Sequence, residues 1–454
     1  MDVIEKLVKN VIETKYEDLP EETTNITKLA ILDTIGCMVA GATAPGCNLV
    51  RDQVLEWGGK RESTIVVYGD EVPCPNAAFV NSTIARSLDF DTTWDPGIHP
   101  GAASVPTALA VAEMCQGISG KEVLTAIVAG EDLAARVNLA TSAYNGFEPT
   151  GVCGILGLAA IAGKIMGLDE KQMLDAIGIA FNRAAGSFQP NINGALLVRV
   201  MEGLASRSGI ESALLAQRGI TGGEGTLQGV YGYFHLFSGD KYDTEILTDK
   251  LGNEFLGALE TNFKKYPSCG GTGSAIDATL QLVRENNIKP NDVDEITVES
   301  NRHFFNMLGN PFKIGANPQV DAQFSYQYTI ANALVRGRFT IHDITPEAIR
   351  DPEVLQIVEK IHPMVNDNLL KESFGATIVR IATKEGKQYS KQVNYRRGNK
   401  YNRMSREEII EKFLYNVDSP DNNLPDRNPQ QIIHVVDELE QVKNIRELIE
   451  LIIV

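Results

Sequence analysis

Ser87-Leu-Asp-Phe-Asp-Thr-Thr-Trp-Asp-Pro-Gly-Ile-His-Pro-Gly101 gathers three aspartates, two threonines, a tryptophan and a histidine into one short segment. Proline has no N–H to donate and glycine loses the most entropy on ordering, so Pro96, Gly97, Pro100 and Gly101 break a helical ladder here. On either side the chain is apolar and helix-forming, from Phe79 to Leu88 before and from Val105 to Met114 after. A polar loop held between two core helices is where catalytic groups tend to sit. His99 has an unperturbed pKa near neutrality, and Asp89, Asp91 and Asp95 are candidate partners to orient it. A solvated surface loop would account for the charges, but it has little use for Trp94, Ile98 and two prolines.

Outward from this segment, composition narrows the classes. With 454 residues, 43% hydrophobic and 22% charged, the chain has the composition of a soluble globular protein of more than one domain. A net charge of −17 makes nucleic acid and anionic membranes poor partners. The same field repels an anionic substrate unless cations are placed locally. Cys37, Cys47, Cys74, Cys115, Cys153 and Cys269 show no Cys-x-x-Cys spacing, which fits a reducing cytoplasm better than a zinc or disulfide scaffold. The opening Met-Asp-Val-Ile-Glu-Lys lacks the basic-then-apolar design of a signal peptide, and the apolar run Gly154 to Gly163 is too short to span a bilayer.

Periodicity predicts mostly helix. Pro20-Glu-Glu suits a first turn, followed by Ile26, Leu29, Ala30, Asp33, Thr34 and Cys37 at helical spacing. Residues 61–71 read as a short exposed strand or hairpin. Asn76 to Gly222 is a run of Ala-rich helices, with capping-box spacing at Ser119–Glu122 and Asp169–Gln172. Near residue 260 the character changes: Asp294 to Ser300 is strand-like, and Ala376 to Tyr395 reads as a hairpin turning at Lys384 to Lys387. Amphipathic helices are expected over Gly273–Asn286 and Ala322–Arg336. Helical character returns at Ser405–Glu408 and over Asn428 to Val454, beyond a linker-like stretch from Asp418 to Pro429. The expected fold is therefore mainly α: a large all-helical domain, discontinuous over 1–260 and 400–454, carrying an inserted α+β lid of 261–399.

Other motifs are weaker. Asp89-x-Asp91-x-Thr93-x-Asp95 mimics a calcium loop, but Trp94 stands where glycine is needed and Pro100 where a bidentate glutamate belongs, so no metal is expected. Lys264-Lys-Tyr-Pro-Ser-Cys-Gly-Gly-Thr-Gly273 precedes a predicted helix, where backbone N–H groups can converge on an anion. A tight helix-capping turn would serve that sequence equally well. No Walker, dinucleotide or Gly-x-Ser-x-Gly motif occurs, and no cofactor is expected.

Leu88-Asp-Phe-Asp-Thr-Thr93 followed by Ile98-His-Pro-Gly101 resembles the signature of the MmgE/PrpD family of 2-methylcitrate dehydratases, cis-aconitate decarboxylases and an iminodisuccinate epimerase. Ile31-Leu-Asp-Thr-Ile-Gly36, Thr221-Gly222, Tyr266-Pro-Ser-Cys-Gly-Gly271 and Gln323-Phe-Ser-Tyr-Gln-Tyr328 extend the resemblance over nearly the whole chain. It implies a site in the cleft between lid and core and a homodimer through the helical domain. It also implies Asp89, Thr93, His99 and Lys264 as catalytic matches. Asp91, Arg199, Glu148, Cys269, Gly270, Gly271 and Thr272 are the candidate substrate contacts. The chain departs from the family's pattern where Lys-x-x-His-x-Gly becomes Val198-Arg-Val-Met-Glu-Gly203, and where Phe-His-Pro-Thr becomes Phe147-Glu-Pro-Thr150.

The reading reached is a cofactor-independent lyase, a dehydratase or decarboxylase, acting on a small carboxylic acid. His99, oriented by Asp89, moves the proton, while Lys264 and the glycine loop stabilise an enolate-like intermediate. A two-base epimerase of a dicarboxylate and a degenerate small-acid binding protein are the alternatives. With Val198, Met201 and Glu148 in place of cationic or protonatable groups, the expected substrate carries fewer carboxylates than citrate, and an apolar group against Val198 and Met201.

Overall fold

The computed structural model describes residues 2–142, 146–418 and 429–453. Its core is a stack of helices, Glu21–Gly41, Cys74–Arg86, Pro100–Cys115, Gly120–Ala140, Ile155–Ile165 and Met201–Gln217. Small residues set their spacing. A Cβ on Gly130 would come within 2.7 Å of the Gly157 carbonyl, and one on Gly157 within 2.5 Å of the Gly130 carbonyl. The two backbones touch across the helix pair, which only glycine at both positions allows.

The C-terminal segment rejoins this stack. Helix Arg406–Val417 begins at the Ser405–Glu408 capping box and packs on Glu21–Gly41. Lys412 reaches across the seam to Asp33, 2.7 Å away, and donates to the Phe90 carbonyl at 2.6 Å. The last helices, Pro429–Asp437 and Arg446–Leu451, follow. Most of the linker-like stretch lies outside the described residues.

Among the described residues six strands form two sheets: β1 (Ser63–Ile65), β2 (Asp70–Val72), β3 (Val293–Ser300), β4 (Ile361–Val365), β5 (Thr377–Thr383) and β6 (Gln388–Val393). β1 and β2 form the expected hairpin, but β1 is fully buried rather than exposed. Ser63 Oγ donates to the Ala110 carbonyl, and Glu113 accepts from Thr64 N and Oγ1, so its polar groups are satisfied inside. The larger sheet runs β4-β3-β5-β6, with β3 parallel to β4 and antiparallel to β5. Along β5, buried and more exposed positions alternate, and helix Gly273–Asn286 covers β5 and β6. Strand β4 has no clear apolar alternation, and its sequence did not reveal it. The helix expected over Ala322–Arg336 is instead two: Pro318–Gln323 ends, and Ser325 Oγ caps a new start at Tyr326–Arg336 by accepting from Tyr328 N. Among the described residues no helix is long and apolar enough to cross a membrane.

Candidate active site

The loop between Cys74–Arg86 and Pro100–Cys115 is largely buried, its aspartates included apart from half-buried Asp95. Pro100 does not break the second helix but opens it, since a first-turn N–H has no intrahelical partner to lose. That places His99 at the helix N-cap, where its backbone N–H donates to Thr150 Oγ1 at 3.1 Å. Its Nδ1 lies 2.9 Å from Asp91 Oδ2. Asp91, two positions after Asp89, is thus the carboxylate that orients the imidazole, which corrects the role expected of Asp89. A bond at Nδ1 fixes the tautomer and leaves Nε2 as the acceptor.

Asp89 is engaged elsewhere. Its φ of +50° turns the carboxylate toward Arg86 Nη1, 2.8 Å from Oδ1, and toward Lys264 Nζ, which also donates to the Asp89 carbonyl at 3.0 Å. Arg86 Nε in turn donates to Glu202 Oε1 at 2.9 Å. Lys264 and Arg86 are both 2% exposed, so these charges meet in a desolvated network. Burial opposes ionisation of Asp89, yet Arg86 and Lys264 hold its carboxyl below the usual range. Burial likewise works against Asp91, but His99, Lys264 and Arg86 hold it well below its ordinary value. Glu202 goes the other way: burial raises it to about 8 despite Arg86.

For His99, burial is the main cause, and with Arg86 and Lys264 it pushes the imidazole down to about 4 against the pull of Asp91. A neutral imidazole beside an ionised carboxylate at neutral pH is an arrangement that can accept a proton.

Arg86, Asp89 and His99 border a small cavity of about 50 Å³. Its lining combines Arg86, Asp89, Thr93, His99 and Arg396 with Phe188, Phe304, Phe324, Phe374 and Met307. Thr93 is pinned through its backbone to Asn262, with both N···O distances 2.9 Å, and its Oγ1 accepts from Arg396 Nη2 at 3.2 Å. Gly270 and Gly271 complete the wall in a single 3₁₀ turn before helix Gly273–Asn286. A Cβ on Gly271 would lie 2.3 Å from Phe304, so the missing side chain lets the aromatic ring in. Asp89 Oδ2, Asp91 Oδ1, Asn191 Oδ1 and Arg396 Nε are buried without a hydrogen-bond partner around this space.

Several expected contacts lie elsewhere. Arg199 is buried at a separate groove, where it donates to the Pro45 carbonyl and to Gln319 Oε1, both at 2.6 Å. Glu148 folds onto its own chain, accepting from Thr150 N at 2.9 Å and Gly151 N at 2.7 Å, and burial raises its carboxyl. Thr272 is fully buried and bonds Ser268 and the Cys269 carbonyl. Cys269 does border the cavity, its thiol pushed up to about 11 by burial and by Asp89. Val198 is core, and Met201 lines a different groove. Neither forms the apolar wall expected of them, which the four phenylalanines make.

Sequence reasoning missed Arg86, Glu202, Asn191 and Arg396. Arg86 had a signal, three positions before Asp89 on a helix end. Arg396-Arg397, directly after a predicted hairpin in an acidic chain, also marked a cation with a task. Asp89, Asp91 and His99 present ligand atoms within 4.8 Å of one another. Their chemistry fits a divalent ion poorly, because Arg86 and Lys264 already occupy Asp89 and Asp91 already holds His99.

A helical core and a sheet-bearing module together bring a buried histidine–carboxylate pair to the edge of a small cavity. Residues 5–245 match the MmgE/PrpD N-terminal domain and residues 266–440 the MmgE/PrpD C-terminal domain. The chain belongs to the MmgE/PrpD family. It is 27% identical to human cis-aconitate decarboxylase over 89% of this chain and 85% of that protein. Aspergillus terreus cis-aconitate decarboxylase is 25% identical over 95% of this chain and 93% of its own length. The mitochondrial 2-methylcitrate dehydratase of Yarrowia lipolytica is 24% identical over 85% and 78%.

Proposed function

We propose that the protein is a lyase that removes a proton beside the carboxylate of a small acid, with water or CO₂ as the leaving group. The observation carrying this is the neutral His99 imidazole, held by ionised Asp91, at the wall of a small cavity. His99 Nε2 takes or returns the proton. The charge that builds on the substrate meets Arg396 and the Gly270–Gly271 turn, groups already in place before the reaction. Asp89, with Lys264 and Arg86, keeps this wall rigid. The names of the relatives, decarboxylases and a dehydratase, support the reaction class.

A panel of mono-, di- and tricarboxylates followed by NMR in D₂O tests it. Turnover, or deuterium entry beside the carboxylate, is expected with at least one acid and is lost in H99N. No His99-dependent exchange with any of them would overturn the lyase. Exchange with inversion and no leaving group would favour epimerisation instead. Because Lys264 is tied to Asp89, Cys269 is then the better candidate for the opposing acid.

The reading includes a homodimer through the helical domain and a cytoplasmic setting. Exposed Leu197 and Leu204 beside the Met201 groove support the first, as does Trp57 lying exposed under Arg207. L204E is expected to shift the mass measured by light scattering from dimer to monomer, and an unchanged mass would exclude that face. Six unpaired thiols are in keeping with a reducing compartment.

A further inference from the structure

Around the cavity the cations do not all remain available. Arg86 and Lys264 are committed to Asp89, Arg86 also to Glu202, and Lys412 behind the loop to Asp33. Arg396 differs. It is 4% exposed, it donates through Nη2 to the neutral Thr93 hydroxyl, and its Nε has no partner among the described residues. Among the described residues that line the cavity, it is the one cation without a carboxylate beside it. A buried guanidinium in that position is costly unless an anion completes it. Gly270 shapes the approach: a Cβ there would stand 3.3 Å from Arg396 Nη2, so the glycine leaves the fork open on that side.

The remaining lining decides what else an occupant can carry. Half-buried Asp95 in the lining and Asp91, bonded to His99 behind it, set negative charge against a second or third carboxylate. Arg302 cannot be recruited without loss, being on the surface and 3.4 Å from Asp367, and Lys313 is exposed. Aromatic rings line the same cavity. Phe304 and Phe374 lie with ring centroids 5.0 Å apart, and His303 sits 5.2 Å from Phe304 and 5.4 Å from Phe374. Burial lowers the His303 imidazole, so this histidine adds a neutral ring at neutral pH, not a cation.

We propose that the site selects a monocarboxylate with an apolar, ring-sized body, its carboxylate on Arg396 and its body against Phe188, Phe304 and Phe374. The proposal rests on the lyase reading for the identity of the site, and it goes further in naming the class of acid. Arg396 is then a specificity-determining residue, and polyanionic acids are disfavoured by missing cations.

Calorimetric titration of the full-length protein with two unreactive probes tests this, 3-phenylpropanoate against the tricarboxylate tricarballylate. The first is expected to bind at least about 10-fold tighter. R396Q should weaken it about 10- to 100-fold, the range of a charge-assisted hydrogen-bonded pair, and R396K should recover part of that. Phe374→Ala should weaken 3-phenylpropanoate while leaving the weak binding of propanoate unaltered. Tighter binding of tricarballylate overturns the proposal, and so does an R396Q protein with wild-type affinity. Should R396Q fail to fold, the two-probe comparison on the wild type decides alone. Selective binding in the absence of any His99-dependent turnover would sink the lyase and leave this selectivity standing.

Discussion

Replacing His99 with asparagine is expected to lower turnover by at least about 10²-fold, the usual share of a positioned acid–base group. Asparagine can still donate to Asp91 and can still occupy a helix N-cap, so the loop should keep its shape. The pH behaviour separates the chemical role from a structural one. With its imidazole held down to about 4 by burial, His99 stays neutral, and so competent as a base, far below the ordinary histidine value. The acid limb of kcat/KM should therefore fall nearer pH 4 than pH 6.5. Stability carries the same signature with a defined sign. Between pH 6.5 and 4 the unfolded chain binds a proton at this histidine and the folded chain does not, so acidification favours unfolding. A depression from 6.5 to about 4 corresponds to about 3 kcal/mol, present above pH 6.5 and lost by pH 4. H99N removes that titration, and its denaturation midpoint should fall less steeply than the wild type's across the same window. Wild-type turnover in H99N, or parallel stability profiles, would refute the assignment.

The helices and the hairpin of β5 and β6 were readable because their signals are local. Capping boxes at Ser119, Asp169 and Ser405 are formed where their spacing placed them. Gly386, with φ of +80°, turns the hairpin inside the expected Lys384 to Lys387 segment. β4 was not readable, because a short strand paired parallel to β3 takes its identity from a partner some sixty-five residues earlier. The same division runs through the site. The loop from Ser87 to Gly101 announced its chemistry by composition. Which aspartate would face His99 depended on the left-handed turn at Asp89, a backbone choice that spacing does not encode. Arg199 and Glu148 were chosen from their nearness to family motifs, and burial sent each to a different partner. Arg396, distant in sequence from the loop, reached the cavity only through the fold of the sheet module.

Removing the Asp89 carboxylate is expected to cost more stability than any other single change in this network. Arg86 and Lys264 are both buried and both directed at Asp89, so D89N leaves two cations with one neutral amide between them. Breaking a buried pair by deleting one partner costs about 3–5 kcal/mol, because the stranded charge has lost its solvent without keeping its counter-ion. Arg86 retains Glu202, but burial raises that carboxyl to about 8, which leaves it largely protonated at neutral pH and a poor replacement. Lys264 keeps its hydrogen bond to the Asp89 carbonyl, with Asp91 the nearby negative charge among the described residues. Deleting the stranded cation should therefore restore much of the loss. D89N/K264M is expected to be more stable than D89N, so that the double-mutant cycle shows strong coupling, beyond about 1 kcal/mol. Lys264→Met alone should cost less than D89N, since Asp89 keeps its bond to Arg86. Urea denaturation of the wild type and the three variants measures the cycle. Additive effects would mean that Asp89 and Lys264 are not a pair in solution, and that the charged part of the cavity wall is held by other contacts.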